Sequence, residues 1–538
     1  MNQDQNQDLY TKAKNMMRDS AASNGECLFL PESQLCSLVN DRSFTSSLGD
    51  NPPPGLIKFV RDEAPRVFLT IWWTFEDSDS SELVSIMTKF QKCRFTDDVL
   101  PIDNNAKTCL KRGQDAKHCS HKQALDVFHD DSIWKTRKID RFCENQWAFI
   151  APVFTKGDAK RRLPASSRLP FLEFRDAGRG AFSDVFKAEL LADHQKEFNL
   201  KPPPDRDVVP VAVKKFRNDP KANLNAENTW EEEATTVDKL GSIRHKHLIQ
   251  RMAAFSRHDE YYIMFEWADG GNLEELWLSD HNDEHRKLTR DQIIDVVEQL
   301  YGLSGALCEL HGTNTRTSTG LNVASQRARN ITSNGVRIDN SGATGIPVIA
   351  IGDQDASESL PDTENWRHGD LKPQNILKVG ASEWLGTLKI ADLGLAKHHQ
   401  FVTYLREGPT NTKFATQHYE APEVIIASMV PRSRRYDIWS MGCIIFEFVI
   451  WLLYGKSALQ DFYNEVDNIE DPSIETLYFI VNRRDRSARV SDIASHWMRQ
   501  ILENDPECNK ANKTVLGDLL RLVQRRMSGK NGGSQLPL

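Results

Sequence analysis

The 538-residue chain contains no Cys-x-x-Cys pair, and its nine cysteines (27, 36, 93, 109, 119, 143, 308, 443 and 508) are scattered and odd in number. That pattern argues against a disulfide framework and for reduced thiols. Cys109, His118, Cys119 and His121 lie near one another, but their spacing matches no common zinc pattern, so no metal is expected there. An excess of positive charge is also missing. Lys+Arg number 68 and Asp+Glu 76, a net charge of −8, which weighs against nucleic acid or an anionic membrane as main partner. The opening MNQDQNQDLY has no basic stretch leading into an apolar one, so no secretory signal is expected. The expected location is intracellular, cytoplasmic or nuclear. Long apolar runs are nearly absent. The exception, IWSMGCIIFEFVIWLLYG at 438–455, carries Glu447 in its middle and reads as a buried core helix rather than a membrane span.

What is present is a globular composition, 39% hydrophobic and 27% charged, enough for more than one core. Residues 1–24 read as a polar, mobile leader. From about Cys27 to Val153 the composition is globular, with a strand-like run at 67–75 (VFLTIWWTF). SELVSIMTKF then spaces Leu83, Val84, Ile86, Met87 and Phe90 as one helical face. Residues 156–168, basic and containing Pro and Ser, suggest a linker. A compact pattern runs from Leu169 to about Met527, interrupted by a Ser/Thr/Asn/Gly-rich stretch at 312–364. Such a stretch is too polar for a core and reads as a disordered insert. The tail, 528–538, has flexible-linker composition.

Within the compact region, FRDAGRGAFSDVFKAEL sets Gly178 and Gly180 between two strand-like stretches. A dinucleotide fingerprint would place the glycines between a strand and a helix, and the third glycine position here holds Ser183. By itself the motif is weak, and an ordinary hairpin turn is the favoured reading over a phosphate cradle. VPVAVKKF then puts Lys214 in a strand. In the helix-like NTWEEEATTVDKL, Glu233 shares a face with Val237.

The most specific signal is WRHGDLKPQNIL, with His368, Asp370, Lys372 and Asn375, followed by Asp392 in LKIADLGLAK. Phosphoryl transfer asks for a carboxylate to accept the incoming hydroxyl's proton and a lysine to neutralise the moving phosphoryl. It also asks for a carboxylate and an amide to hold Mg²⁺. Asp370, Lys372, Asp392 and Asn375 match those needs.

Taken together, GRGAFSDV, VAVK, HGDLKPQN, DLG, YEAPE (Tyr419 to Glu423) and YDIWSMG (Tyr436 to Gly442) resemble the eukaryotic protein kinases of the Ser/Thr type. The resemblance covers roughly residues 170–527. It implies an α+β, bilobal kinase fold at 166–527: a small β-rich lobe at 166–267 with one main helix, and a large, mainly helical lobe at 268–527. Residues 1–165 would be an N-terminal extension. ATP and Mg²⁺ are the implied cofactors, and protein substrates the implied partners. Gly178 and Gly180 would cover the phosphates, and Lys214 would hold them. Glu233 would pair with Lys214, although spacing from the HKH stretch favours Thr236 instead. Phe265 resembles the gatekeeper. The backbone of Glu266 and Ala268 would meet the adenine edge, and Val185, Ala212 and Leu377 its faces. Asp370 would be the base, Asn375 and Asp392 the metal ligands, and Asp437 an anchor beneath the catalytic loop. Lys372 and Thr416 resemble Ser/Thr-specific members, and Glu423 closes the APE motif.

Gly369 stands where the family usually has an arginine that grips an activation-loop phosphate, Leu393 where DFG has Phe, and Lys510 or Lys513 where an arginine usually pairs with Glu423. The insert before WRHGDLKP and the stretch QWAFIAPVF resemble kinases of filamentous fungi. The competing functional reading is a nucleotide-binding pseudokinase or scaffold whose N-terminal region is an interaction module.

Overall fold

A computed structural model describes residues 9–22, 27–40, 47–49, 51–76, 78–110, 122–180, 182–198, 200–219, 225–279, 288–312, 366–392, 418–426, 434–485, 487–509 and 513–527. The insert beyond Gly312, the tail, Leu393, Thr403, Thr410, Thr412, Thr416, Lys510 and His118 to His121 lie outside them. The chain divides into two units, 1–241 with 249–268, and 242–248 with 269–538.

The first unit begins with helices. α1 (Leu9–Met16), α2 (Glu32–Leu38), α3 (Leu56–Asp62), α4 (Pro65–Thr74), α5 (Ser80–Lys92) and α6 (Thr136–Asn145) enclose an aromatic core. In it Phe90, Phe95, Phe128, Trp134 and Phe142 meet mostly edge to face. Two expectations fail here. Residues 9–22, expected within a mobile leader, hold α1, bury Ala13 and Met17, and bond from the Ala21 amide to the Phe171 carbonyl at 2.8 Å. Residues 67–75 are not a strand. Pro65 opens α4, and the distant Asp97 carboxylate accepts the Arg66 and Val67 amides at its N-terminus at 3.0 Å. Six of the ten residues of α4 are buried, so no polar face remains to betray the helical period.

A six-stranded sheet follows, in the order β1-β5-β6-β4-β3-β2. Its strands are β1 (Arg161–Leu163), β2 (Phe171–Arg179), β3 (Ser183–Leu191), β4 (Val208–Phe216), β5 (Arg251–Arg257) and β6 (Glu260–Glu266), with helix α7 (Ala226–Lys239) between β4 and β5. Every pairing is antiparallel except β1 with β5. The presumed linker 156–168 thus supplies an edge strand. Phe154, just before it, is fully buried against Phe171 and Phe255. The QWAFIAPVF stretch joins both cores of this unit. Gln146 exchanges bonds with the Ile102 backbone, and Phe149 lies in the helical core.

The second unit is mainly helical. It contains α8 (Leu273–Leu278), α9 (Arg290–Leu310), the hairpin β7 (Ile376–Val379) and β8 (Thr387–Ile390), α10 (Arg435–Asn464), α11 (Asp492–Asn504) and α12 (Val515–Met527). α8 and α9 each start on a reciprocal capping box, Asn272 with Glu275 and Thr289 with Gln292. α10 is the 438–455 apolar run, broken at Gly455, where φ is +79°. By length and composition it could cross a membrane, but 61% of its most apolar window is buried inside the molecule, as a core helix requires.

Candidate active site

The candidate residues divide between the two units. In the first, β2 and β3 form the hairpin that carries the glycine turn. The Gly180 amide donates to the Ser183 carbonyl at 2.8 Å, and the Arg217 guanidinium to the Gly180 carbonyl at 2.5 Å. The register places Val185 opposite Lys214, Lys187 opposite Ala212, and Ala212 opposite Phe265. Because facing residues share a side of the sheet, Val185, Ala212, Lys214 and Phe265 lie on one face. Val211 and Val213 point the other way, into the core with Phe154 and Phe171.

On the Lys214 face, α7 brings up Glu233. Lys214 Nζ lies 2.8 and 3.0 Å from the two Glu233 carboxylate oxygens. Both side chains are largely buried, at 15% and 7% exposure. Of the two sequence candidates it is Glu233, not Thr236, that meets the lysine. Trp230 anchors the same helix, donating from Nε1 to the Tyr262 carbonyl at 3.0 Å. At the end of β6, the Glu266 amide donates to the Gln250 carbonyl at 3.2 Å, and Ala268 is buried.

In the second unit, the site is organised from below by Asp437, fully buried at the start of α10. Its carboxylate accepts the His368 and Gly369 amides and His311 Nε2, each at 2.8 Å. Burial pushes this carboxyl up, but the His311 bond, the nearby His368 and the two amides together hold it below its ordinary range. Gly369 sits at φ +78°, a conformation glycine takes without strain. His368 Nε2 lies 2.8 Å from the Ala391 carbonyl, and its Nδ1 accepts the Asp370 amide at 3.3 Å.

Asp370 is thereby fixed, at 6% exposure. Its Oδ2 receives Lys372 Nζ at 2.9 Å and Asn375 Nδ2 at 3.2 Å. Asn375 Nδ2 also bonds the Asp370 carbonyl at 2.7 Å. With its amide nitrogen turned to Asp370, Asn375 keeps its amide oxygen as an acceptor. The Asn375 carbonyl takes the Ala391 amide at 2.8 Å, one residue before Asp392. Asp392 has φ +60°, a strained geometry for a residue with a β-carbon. Among the described residues no three His, Cys, Asp or Glu side chains cluster as a metal cage. One amide and one carboxylate instead suit Mg²⁺, which takes few protein ligands and completes its shell with phosphate and water. Leu377 lies on β7, bridged to Asn272, and Glu423 opens the short helix Glu423–Ile426.

A model described as "Protein kinase domain" matches residues 363–514, and one described as "Protein tyrosine and serine/threonine kinase" matches 173–315. The chain belongs to the protein kinase family. It is 37% identical over 95 residues to homeodomain-interacting protein kinase 1 of Caenorhabditis elegans, covering 18% of this chain and 10% of that protein. It is 31% identical over 153 residues to mitogen-activated protein kinase 15 of the same organism, covering 27% and 28%. With a probable cyclin-dependent kinase 8 of Dictyostelium discoideum it shares 41% over 86 residues, covering 16% and 22%. The chain thus spans less than a third of each of these relatives.

Several supports of this kinase site were not foreseen. His311 lies outside every motif of the sequence, yet it completes the Asp437 cluster, and Arg434 caps its carbonyl at 2.7 Å. Glu274 on α8 accepts Gln374 Nε2 at 2.7 Å beside the Asp370–Asn375 segment. Burial raises the Glu274 carboxyl above its ordinary range despite that bond. Neither residue belongs to a contiguous motif, and only the fold brings them to the loop.

Proposed function

We propose that the chain is a serine/threonine protein kinase that transfers the γ-phosphoryl group of ATP to protein hydroxyls. The observation that carries this reading is the preorganised Asp370 carboxylate, bonded on one oxygen by Lys372 and Asn375 and backed by Asp437. Asp370 accepts the substrate hydroxyl's proton. The resulting oxygen attacks the γ-phosphorus, the bond to the β–γ bridging oxygen breaks, and ADP leaves. Lys372 neutralises charge on the transferring group.

Lys214, oriented by Glu233, takes the α- and β-phosphates under the Gly178–Gly180 turn. Val185, Ala212 and Leu377 line the adenine faces, with Phe265 behind and the Glu266 and Ala268 backbone at the edge. Asn375 and Asp392 would hold Mg²⁺, which would supply charge neutralisation for the phosphates. Lys372 and Thr416 favour serine and threonine over tyrosine. Gly369 carries no guanidinium to receive a loop phosphate, so activity does not depend on phosphorylation of Thr403, Thr410 or Thr412. Asn272 and Gln374 are neutral, and the nearby Glu274 is tied to Gln374, so no upstream arginine is required in the substrate. The insert before WRHGDLKP and the QWAFIAPVF stretch favour a fungal source, and the scattered cysteines an intracellular setting.

The test is transfer of labelled γ-phosphate from ATP to a mixed Ser, Thr and Tyr peptide library, with phospho-amino-acid analysis and array profiling. Asp370→Asn and Lys214→Met should each cut turnover by about a hundredfold or more. Turnover indifferent to Asp370→Asn would sink the reading. Nucleotide binding without turnover in the wild type would favour the scaffold alternative.

A further inference from the structure

We propose that residues 154–163, ahead of both regions that match kinase models, form a built-in strap that holds α7, with Arg162 as a positioning residue for the Lys214–Glu233 pair. The proposal rests on the kinase reading above and adds what keeps its lysine in place.

The strap is itself well seated. Phe154 is fully buried, its ring 4.9 Å from that of Phe255. β1 pairs parallel to β5, Arg161 with Phe255, Arg162 with Ser256 and Leu163 with Arg257. The Ala254 amide donates to the Asp158 carbonyl at 2.8 Å. The Asp158 carboxylate accepts the Thr155 amide at 2.8 Å, and Arg161 Nη1 bonds the Val153 carbonyl at 2.8 Å.

From this base Arg162 Nη2 reaches Glu227 Oε1 at 2.9 Å and Glu231 Oε1 at 2.8 Å. Its guanidinium lies 5.9 Å from the Trp230 ring centre. Glu227 and Glu231 are four residues apart and share a helix face. Glu231 is turned roughly 200° from Glu233 around the helix. The strap therefore grips the side of α7 away from Lys214, so each contact resists a swing that would break the other. At the far end of α7, Arg251 Nη2 bonds Asp238 at 2.9 Å, while its Nη1 lies 3.4 Å from the Asp158 and Ala159 carbonyls. Both ends of the helix are thereby tied to one segment. Arg162, Glu227 and Glu231 are 54%, 40% and 45% exposed. Exposed ion pairs add little to global stability, so replacing Arg162 leaves the fold intact while freeing the helix.

The experiment uses the full chain with Arg162→Ala, Arg162→Glu, and Arg162→Glu combined with Glu227→Arg and Glu231→Arg. It reads kcat, KM for ATP and for peptide, and hydrogen exchange of residues 226–239. The expected result is a fall in kcat/KM for ATP of about threefold to tenfold, larger for Glu than for Ala. Exchange in α7 should quicken, peptide KM should stay unchanged, and the charge-swapped variant should recover both activity and protection. Wild-type exchange and kinetics in Arg162→Glu would overturn the proposal. So would a loss that tracks global unfolding and is not rescued by the swap. A wild type without phosphoryl transfer would refute the kinase reading instead, and the exchange experiment would still decide whether Arg162 holds α7.

Discussion

His247 fills the notch left by Gly302. A β-carbon on Gly302 would lie 2.1 Å from His247 Nε2 and 2.3 Å from its Cδ2. The ring cannot retreat, because its Nδ1 lies 2.7 Å from the Leu388 carbonyl and its own carbonyl accepts the Ile390 amide at 2.8 Å. Burial lowers the imidazole's affinity for a proton, so a neutral ring is locked between α9 and β8. Gly302→Ala should therefore cost about 1–3 kcal/mol through overpacking. Adding His247→Ala should restore part of that loss, giving a favourable coupling in a double-mutant cycle measured by urea unfolding. Strict additivity of the two substitutions would show that the notch is not the cause.

Asp437→Asn tests the anchor beneath the catalytic loop. The carboxylate accepts three donors, the His368 and Gly369 amides and His311 Nε2. An asparagine offers one acceptor oxygen and turns an NH₂ group toward donors. At least one buried donor loses its partner, at about 1–3 kcal/mol each, and Asp370 loses its support. Turnover should fall by about a hundredfold or more while the far-UV circular dichroism stays native. Normal kcat in Asp437→Asn would contradict the role drawn here.

How much of this was legible beforehand depended on how locally each feature is encoded. Lys372, Asn375 and Asp370 sit within six consecutive residues, so the sequence carries their geometry almost directly. The β2–β3 hairpin was similarly legible from its alternation and glycines. α4 was not, because burial on nearly every side removes the polar face, and its N-terminal cap comes from Asp97, beyond the end of α5. The strap was misread as a linker because its three-residue strand needs β5, ninety residues on, to exist at all. His311 could not be found for the same reason. Its partner Asp437 is 126 positions away, across the long insert.

Phe154 ties the small sheet to the chain that precedes it. It precedes the matched kinase region, yet it is fully buried in the same cluster as Phe171, Val211, Val213 and Phe255. Phe154→Ala should cost about 3–5 kcal/mol, as for other large aromatic truncations in packed cores. A fragment beginning at residue 166 should be insoluble or lack a cooperative thermal transition, because it lacks both this anchor and β1. A soluble, cooperatively melting fragment from 166 would show that the small sheet stands without its N-terminal edge.

Glu447, in the middle of α10, makes stability depend on pH. It is 1% exposed, and Tyr419 Oη donates to its carboxylate at 2.8 and 2.9 Å, with Tyr478 Oη on the same group. Burial raises the carboxyl to about 8, more than those tyrosine bonds lower it. In the unfolded chain the same group ionises near its ordinary 4.5. Between those values the folded state holds a proton that the unfolded state has released, so stability falls as pH rises through that window. Below about 4.5 the two states are protonated alike, and above about 8 the loss is complete. Glu447→Gln keeps an acceptor for the tyrosines and removes the titration. Its melting temperature should gain on the wild type from pH 5 to about pH 8 and level off above that. Parallel melting curves across that range would mean that the carboxyl ionises inside the fold as readily as outside it.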